Sequence, residues 1–316
     1  MPEGQPRRDR EQRGRAPDER WGPACGELSV RTAVLAAVVF ALVLAAAISV
    51  FGLSLTPDRY LLVLLAPAVV VRRTRRYLLD FLPFAALILV YAEARGMAHV
   101  LRPDPYYLPQ LHLERTLFGG GVPTRTLQQW IWSGHESWYD HLLLVVTRIH
   151  SIVPMTLAFV LWLRRRALFY RFAATMLVLS YSAALTFLLY PAAPPWEAAR
   201  HGLLSVAKIG GGRAATSSVP AGDSLYNLIR GNPDAAIPSL HGGYAFLVFL
   251  FVAALVWRTR RRWPIICAAV LYPAVQSFAV VYTANHYVVD LLAGYAFATA
   301  AFVSTWWLWR RLRLPA

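Results

Sequence analysis

Long apolar runs separated by short clusters of arginine dominate this chain, and that alternation restricts it to one kind of architecture. A helix needs about 20 apolar residues to cross roughly 30 Å of hydrocarbon, and it satisfies its own backbone hydrogen bonds on the way. Such runs lie near 32–55, 59–71, 77–96, 141–163, 168–190, 239–257, 263–283 and 286–309. Apolar residues make up 57% of the 316 and charged residues 16%, against about 25% charged in a soluble domain. Most soluble enzymes, a disordered chain and a collagen-like repeat are excluded. The expected fold is an all-α polytopic transmembrane bundle of about eight spans.

The formal net charge of +15 comes from 32 basic and 17 acidic residues, and Lys208 is the sole lysine. In a soluble chain that excess would suggest nucleic acid. Here the arginines cluster between apolar runs, at 7–20, 72–76, 164–166, 258–262 and 310–313, so no nucleic-acid partner is expected. Basic residues concentrate on the cytoplasmic side of membrane proteins. With eight spans and a cytoplasmic N-terminus, all five clusters share that side. The short run 59–71, which contains Pro67, decides the count. Were it re-entrant, either the N-terminal arm or every later cluster would lie outside. The expectation is therefore a multi-pass plasma-membrane protein with both termini cytoplasmic.

Residues 1–30, rich in Arg, Pro, Gly and Glu, read as a disordered cytoplasmic tail rather than a signal peptide. Residues 31–76 supply two accessory helices, 77–309 a six-helix membrane domain, and 310–316 a second cytoplasmic tail. No internal repeat suggests the paired halves of a transporter. Cys25 and Cys267 are too few for a disulfide framework or a zinc site, and both are expected to be reduced. Two segments, 97–140 and 191–238, then fall outside the cytoplasm. In the first, Leu127, Trp130, Ile131 and Trp132 flank Gln128 and Gln129, a pattern that suits a helix lying in the headgroup region.

The chemistry concentrates on that outer face. Ala236-Ile237-Pro238-Ser239-Leu240-His241-Gly242-Gly243 leads into the sixth run, with Ser239 a natural N-cap. First-turn amides and the helix dipole there favour a phosphate, with His241 beside them. Asn285-His286-Tyr287-Val288-Val289-Asp290 opens the eighth run. His286 and Asp290 stand four residues apart, on one helical face. A carboxylate so placed can fix an imidazole's tautomer, and an oriented neutral imidazole is a nucleophile toward phosphorus. A lone histidine at a helix start is more often a cap, and His–carboxylate pairs are often structural. Two such groups at one water–lipid boundary read as functional. Two histidines and a carboxylate lack a further ligand for zinc, so neither a metal nor another cofactor is expected.

Pro238-Ser239-Leu240-His241, followed by Asn285-His286-Tyr287-Val288-Val289-Asp290, resembles the last two signatures of the type-2 phosphatidic acid phosphatase superfamily. Leu240 replaces the usual glycine, which is similar to the inositol phosphorylceramide synthase-like branch. Tyr190-Pro191-Ala192-Ala193-Pro194-Pro195 and Leu117-Phe118-Gly119-Gly120, with Pro123-Thr124 and Leu127-Gln128, resemble the same branch. The resemblance spans roughly 77–309. It implies a phosphohistidine on His286, oriented by Asp290, with His241 protonating the departing oxygen and then activating the acceptor. No Lys-x6-Arg-Pro run precedes Pro238 and no Ser-Arg pair precedes His286, so the phosphate-binding arginines must come from elsewhere.

Arg95, near the outer end of the third run, and Arg148 with His150, in the fourth, are the candidates alongside Ser239. Arginine fits phosphate bidentately, and one buried at such depth must face a partner or a wet cavity. Alternatively, Arg95 pairs with Glu93 and Arg148 snorkels. Glu93, His99 and His112 are weaker candidates. Trp306, Trp307 and Trp309 beside Arg310 and Arg311 read as an interfacial belt, and Tyr287 and Trp196 as interfacial anchors. The leading expectation is a membrane enzyme that moves a phosphoryl-containing headgroup, by resemblance inositol phosphate, from a phospholipid to a lipid alcohol. A phosphatase of lipid or polyprenyl phosphates would use the same site. A transporter without chemistry would need a continuous polar path through the spans.

Overall fold

The computed structural model describes residues 30–51, 57–101, 104–210 and 235–312. The N-terminal tail, its arginine cluster and Cys25 therefore lie outside the described residues, as do residues 211–234. Within them the protein is all-helical: α1 (Val30–Phe51), α2 (Pro57–Val70), α3 (Thr74–Leu101), α4 (Leu108–Leu117), α5 (Pro123–Ile131), α6 (Trp138–Arg148), α7 (Ile152–Arg164), α8 (Arg166–Leu189), α9 (Pro195–Arg200), α10 (Leu240–Val256), α11 (Arg262–Tyr282) and α12 (Val288–Arg311).

Four helices are long and apolar enough to cross a bilayer, namely α3, α8, α11 and α12. The pair α6–α7, bent by 48°, is long and apolar enough to add a fifth span if the two helices cross as one. The apolar stretches of α1, α2 and α10 are shorter. At 14 residues α2 reaches only about 21 Å, and it carries Pro67 within it. The fourth run, expected as one straight helix, breaks between Arg148 and Ile152. The break places Arg148 at a helix end and His150 in the connection.

Lipid tails are as apolar as leucine, so these helices associate through packing and interhelical hydrogen bonds. Both are visible. Phe81 stacks on Tyr77 at 4.4 Å and on Phe169 at 4.6 Å, and meets Trp162 edge-on at 5.8 Å, joining α3, α7 and α8. Tyr60 to Thr156 (2.6 Å), Thr175 to Thr305 (2.8 Å) and Ser180 to Tyr244 (2.7 Å) tie further helix pairs through hydroxyls.

The contact between α10 and α12 depends on glycine. A Cβ on Gly294 would stand 2.3 Å from the Ser239 carbonyl oxygen, and one on Gly243 would stand 3.3 Å from the Gly294 carbonyl oxygen. Two helix backbones thus meet where His241 and Asp290 are carried.

The described arginine clusters gather at one end of the bundle. The Arg73 guanidinium donates to the Leu163 carbonyl, and Arg166 binds Asp80. Arg171 lies 4.2 Å over Trp306, and Arg311 lies 4.9 Å over Trp307, consistent with an interfacial belt. Arg95, at the far end of α3, is about 30 Å of helix away from Thr74.

Candidate active site

At that far end the short helices α4, α5 and α9 cap the bundle and pin its loops. Tyr106 donates its N–H to the Pro191 carbonyl (2.8 Å), Ala193 donates to Tyr106 (3.0 Å), and Ala236 donates to Ala192 (3.2 Å). The Pro-rich run 190–195 therefore acts as a brace that fixes Ala236. The buried Gln128 side chain donates to the carbonyls of Ala207 and Tyr282, both at 2.8 Å. Trp130, two residues on, is 79% exposed.

His241 and His286 come from segments 45 residues apart, and their rings meet, Nδ1 of His241 lying 3.0 Å from Nε2 of His286. The other nitrogen of His286, Nδ1, lies 3.1 Å from the Ala236 carbonyl oxygen. A carbonyl can only accept, so that Nδ1 carries a proton. In the neutral ring, Nε2 then holds a lone pair directed at His241. Asp290 also faces His286 Nδ1, but at 3.6 Å, longer than a hydrogen bond. Its Oδ2 accepts instead from the Tyr287 backbone N–H at 2.9 Å, and Oδ1 has no hydrogen-bond partner among the described residues. The carboxylate expected to set the tautomer alone thus shares that task with a backbone carbonyl.

His150 stacks against His241 with ring centroids 4.0 Å apart, and its Nδ1 lies 2.9 Å from the Thr147 carbonyl. A cavity of about 510 Å³ opens beside these rings. Arg95, Arg148, His150, Lys208, His241 and His286 line it, and no carboxylate does among the described residues. Ile88, Met176, Phe187 and Leu240 form its apolar wall. A cationic mouth above an apolar wall fits a phosphate carried on a lipid. Glu93 and Arg95 both make contacts within the protein.

Not every candidate reaches the cavity. Ser239 is fully buried and does not line it, because its hydroxyl accepts the Gly242 N–H at 3.3 Å. That is the capping role. Tyr287 is also fully buried rather than an interfacial anchor, since it packs with Leu111, Val122 and Leu204. Among the described residues no three His, Cys, Asp or Glu side chains form a group that could hold a metal.

Two participants escaped the sequence reading. Glu114 on α4 is completely buried, and its two oxygens accept the N–H groups of Val288 and Val289, each at 3.1 Å. It therefore caps α12, the helix that carries Asp290, from 174 residues away. Burial pushes its carboxyl above the ordinary range, and the two N–H groups oppose that shift. Lys208 holds its ammonium 3.6 Å over the Trp196 ring at the cavity wall. Partial desolvation moves that amine below its usual value. Its standing as the sole lysine was the available signal, but nothing in the sequence placed it.

Residues 111–304 match the model of the PAP2 superfamily, more than half of the chain, and the chain belongs to that superfamily. It is accordingly a membrane enzyme of the phosphotransferase and phosphatase class. A curated relative, the phosphoinositol dihydroceramide synthase of Bacteroides thetaiotaomicron, is 27% identical over 232 residues. The aligned part covers 70% of this chain and 74% of the relative. That likeness supports the inositol phosphorylceramide synthase-like branch. No solved structure gives a significant match.

Proposed function

We propose that the protein transfers a phosphoryl-containing headgroup from a phospholipid to a lipid alcohol through a phosphohistidine on His286. The observation that carries this reading is the 3.0 Å contact between His241 and His286 beside a cavity lined by Arg95, Arg148, His150 and Lys208. In the first step Nε2 of His286 forms a bond to phosphorus and the bond from phosphorus to the lipid oxygen breaks. His241, entering this step as imidazolium, gives that oxygen its proton and is left neutral. In the second step the acceptor hydroxyl gives its proton to His241, its oxygen bonds to phosphorus, and the N–P bond breaks. The Ala236 carbonyl and Asp290 hold His286 and stabilise the charge its ring gains. Because His241 covers Nε2 of His286, the incoming phosphate must part the two rings. The guanidinium groups of Arg95 and Arg148 are the partners that draw it there.

The relative's name supplies the chemical class, namely a phosphoinositol group as cargo and a dihydroceramide as acceptor. The arrangement of charge supports a plasma-membrane topology in which the arginine end and both termini are cytoplasmic and the histidine cavity is extracytoplasmic. In that reading all eight apolar runs cross, 31–76 is accessory to the catalytic bundle 77–309, and residues 1–30 and 310–316 are cytoplasmic tails.

The test uses purified protein with phosphatidylinositol radiolabelled in its phosphate, with and without dihydroceramide. A labelled phosphodiester lipid that forms only with the acceptor is expected, together with acid-labile, alkali-stable label on the protein. Label released as free inositol phosphate, with no lipid product, makes the protein a hydrolase. His286→Ala should lower turnover by on the order of 10⁴-fold or more while membrane insertion persists. Full activity in that variant would end the phosphohistidine reading.

A further inference from the structure

The other end of the bundle holds a second concave site that the reaction does not use. Arg72, Arg73, Arg75 and Arg76, joined by Arg166 and Leu79, line a cavity of about 570 Å³. They converge because α2 ends in a tight reversal. Arg73 donates its N–H to the Ala68 carbonyl at 3.0 Å, and Arg72 adopts the left-handed conformation with φ of 56°. That position in a helix C-cap normally belongs to glycine, so an arginine there is strained. A topology signal needs basic residues only somewhere in the loop. It requires neither their convergence on one cavity nor an arginine in glycine's place.

An apolar groove begins beside this cavity. Phe84 and Leu87 of α3 and Ala173, Ala174 and Leu177 of α8 line it, along with Asp80 and Tyr170 at its arginine end. Asp80 joins the two features, since its carboxylate binds Arg166 and accepts from Tyr170 at 2.6 Å. No other carboxylate lines either space among the described residues. From Asp80 to Leu87 the groove follows about 10 Å of helix. Small residues on α8 leave room there for a chain rather than for another helix.

We propose that the arginine cavity and this groove form one site for an anionic phospholipid, with its phosphate on Arg72 to Arg76 and an acyl chain between α3 and α8. Charge complementarity selects the headgroup, and basic pockets between membrane helices hold such lipids. The phosphate of this lipid is not the reacting one, because about 30 Å of α3 separates Arg75 from Arg95.

The test titrates dioleoyl phosphatidylglycerol, dioleoyl phosphatidylcholine and glycerol 3-phosphate onto the purified full chain in detergent, read by thermal midpoint and by adducts in native mass spectrometry. Phosphatidylglycerol should raise the midpoint and persist as an adduct, with the other two much weaker. The double variant R72Q/R75Q should bind it roughly 30-fold more weakly. Ala174→Trp, which fills the groove without touching charge, should also release it. Arg148→Gln, in the catalytic cavity, should not. Equal binding of phosphatidylcholine, or of glycerol 3-phosphate, overturns the site. So does loss of binding in Arg148→Gln with retention in both of the other variants, which would place the lipid in the catalytic cavity.

Discussion

Two buried aspartates, one at each end of the bundle, receive opposite treatment. Asp80 at the arginine end accepts from Trp162 Nε1 at 2.8 Å and Arg166 Nε at 2.7 Å on Oδ2, and from Tyr170 and a second Arg166 nitrogen on Oδ1. Asp290 at the histidine end accepts one backbone N–H at 2.9 Å, and its Oδ1 has no partner among the described residues. A buried carboxylate that spends both oxygens on fixed donors is a fastener, because its ionised state is already matched. Asp290, with Oδ1 unpaired and the already-bonded Oδ2 lying 3.6 Å from the His286 ring, is better matched when that ring becomes charged. Under-satisfied buried groups are rare, and function is a common reason for them. The same residue type therefore serves stability at one end and, in the proposed mechanism, reaction at the other.

The comparison breaks if the two aspartates respond alike. Asp80→Ala should cost about 3 kcal/mol of stability, the low end for a broken buried ion pair, because Arg166 is 27% exposed and can turn to water. Turnover per folded molecule should stay within about twofold of wild type, since Asp80 is a helix length away from the histidines. Thermal unfolding in detergent beside an activity assay reads both quantities. Asp290→Asn should do the reverse. Its turnover should fall by roughly 10²-fold, equivalent to about 2.7 kcal/mol of barrier, with a small change in midpoint. That is well short of the about 10⁴-fold seen where a carboxylate alone sets the tautomer, because the Ala236 carbonyl still holds Nδ1–H. A loss as large as the full 10⁴ would mean that the carbonyl contributes nothing.

Gly294 tests whether the reacting end needs its close helix contact. A Cβ there would press on the Ser239 carbonyl at 2.3 Å, and backbone cannot yield as a flexible side chain does. Gly294→Ala should cost about 2 kcal/mol, as overpacking does, and should also slow turnover by parting His241 from His286. A variant with lowered midpoint but normal turnover would show that the histidines tolerate the separation.

The same contrast explains what could be read from the chain and what could not. His241, His286 and Asp290 were legible because each sits in a short local signature at a helix entrance, where spacing along the chain fixes the geometry. The membrane bundle was legible because hydropathy has a length requirement. The break after Arg148 had a signal in Pro154, which has no N–H to give the His150 carbonyl four residues back, but the apolar run continues across it and hides the break. Ser239 shows a local signal with two readings, cap and ligand, that only the position of the cavity separates. Lys208 and Glu114 were invisible for a different reason. Their partners, Trp196 and the α12 amides, are set by tertiary packing, and no periodicity links position 114 to position 288.

Glu114 offers the smallest effect. Its carboxylate caps α12 in place of a local N-cap, so Glu114→Gln, which can accept with one oxygen only, should cost about 1 kcal/mol. The dependence on pH carries more information than the size. Burial raises this carboxyl above its ordinary 4.5, so the folded chain holds the proton more firmly than the unfolded chain does. Stability from this residue is then fully present below 4.5 and is lost as pH rises through the higher folded value. Wild-type protein should become less stable across that mildly acidic window, and Glu114→Gln should lack that component of the slope. If wild type instead gains stability relative to Glu114→Gln as pH rises, the N–H groups of Val288 and Val289 outweigh burial. Glu114 would then be held ionised as an anion on a helix terminus, opposite in sign to the prediction.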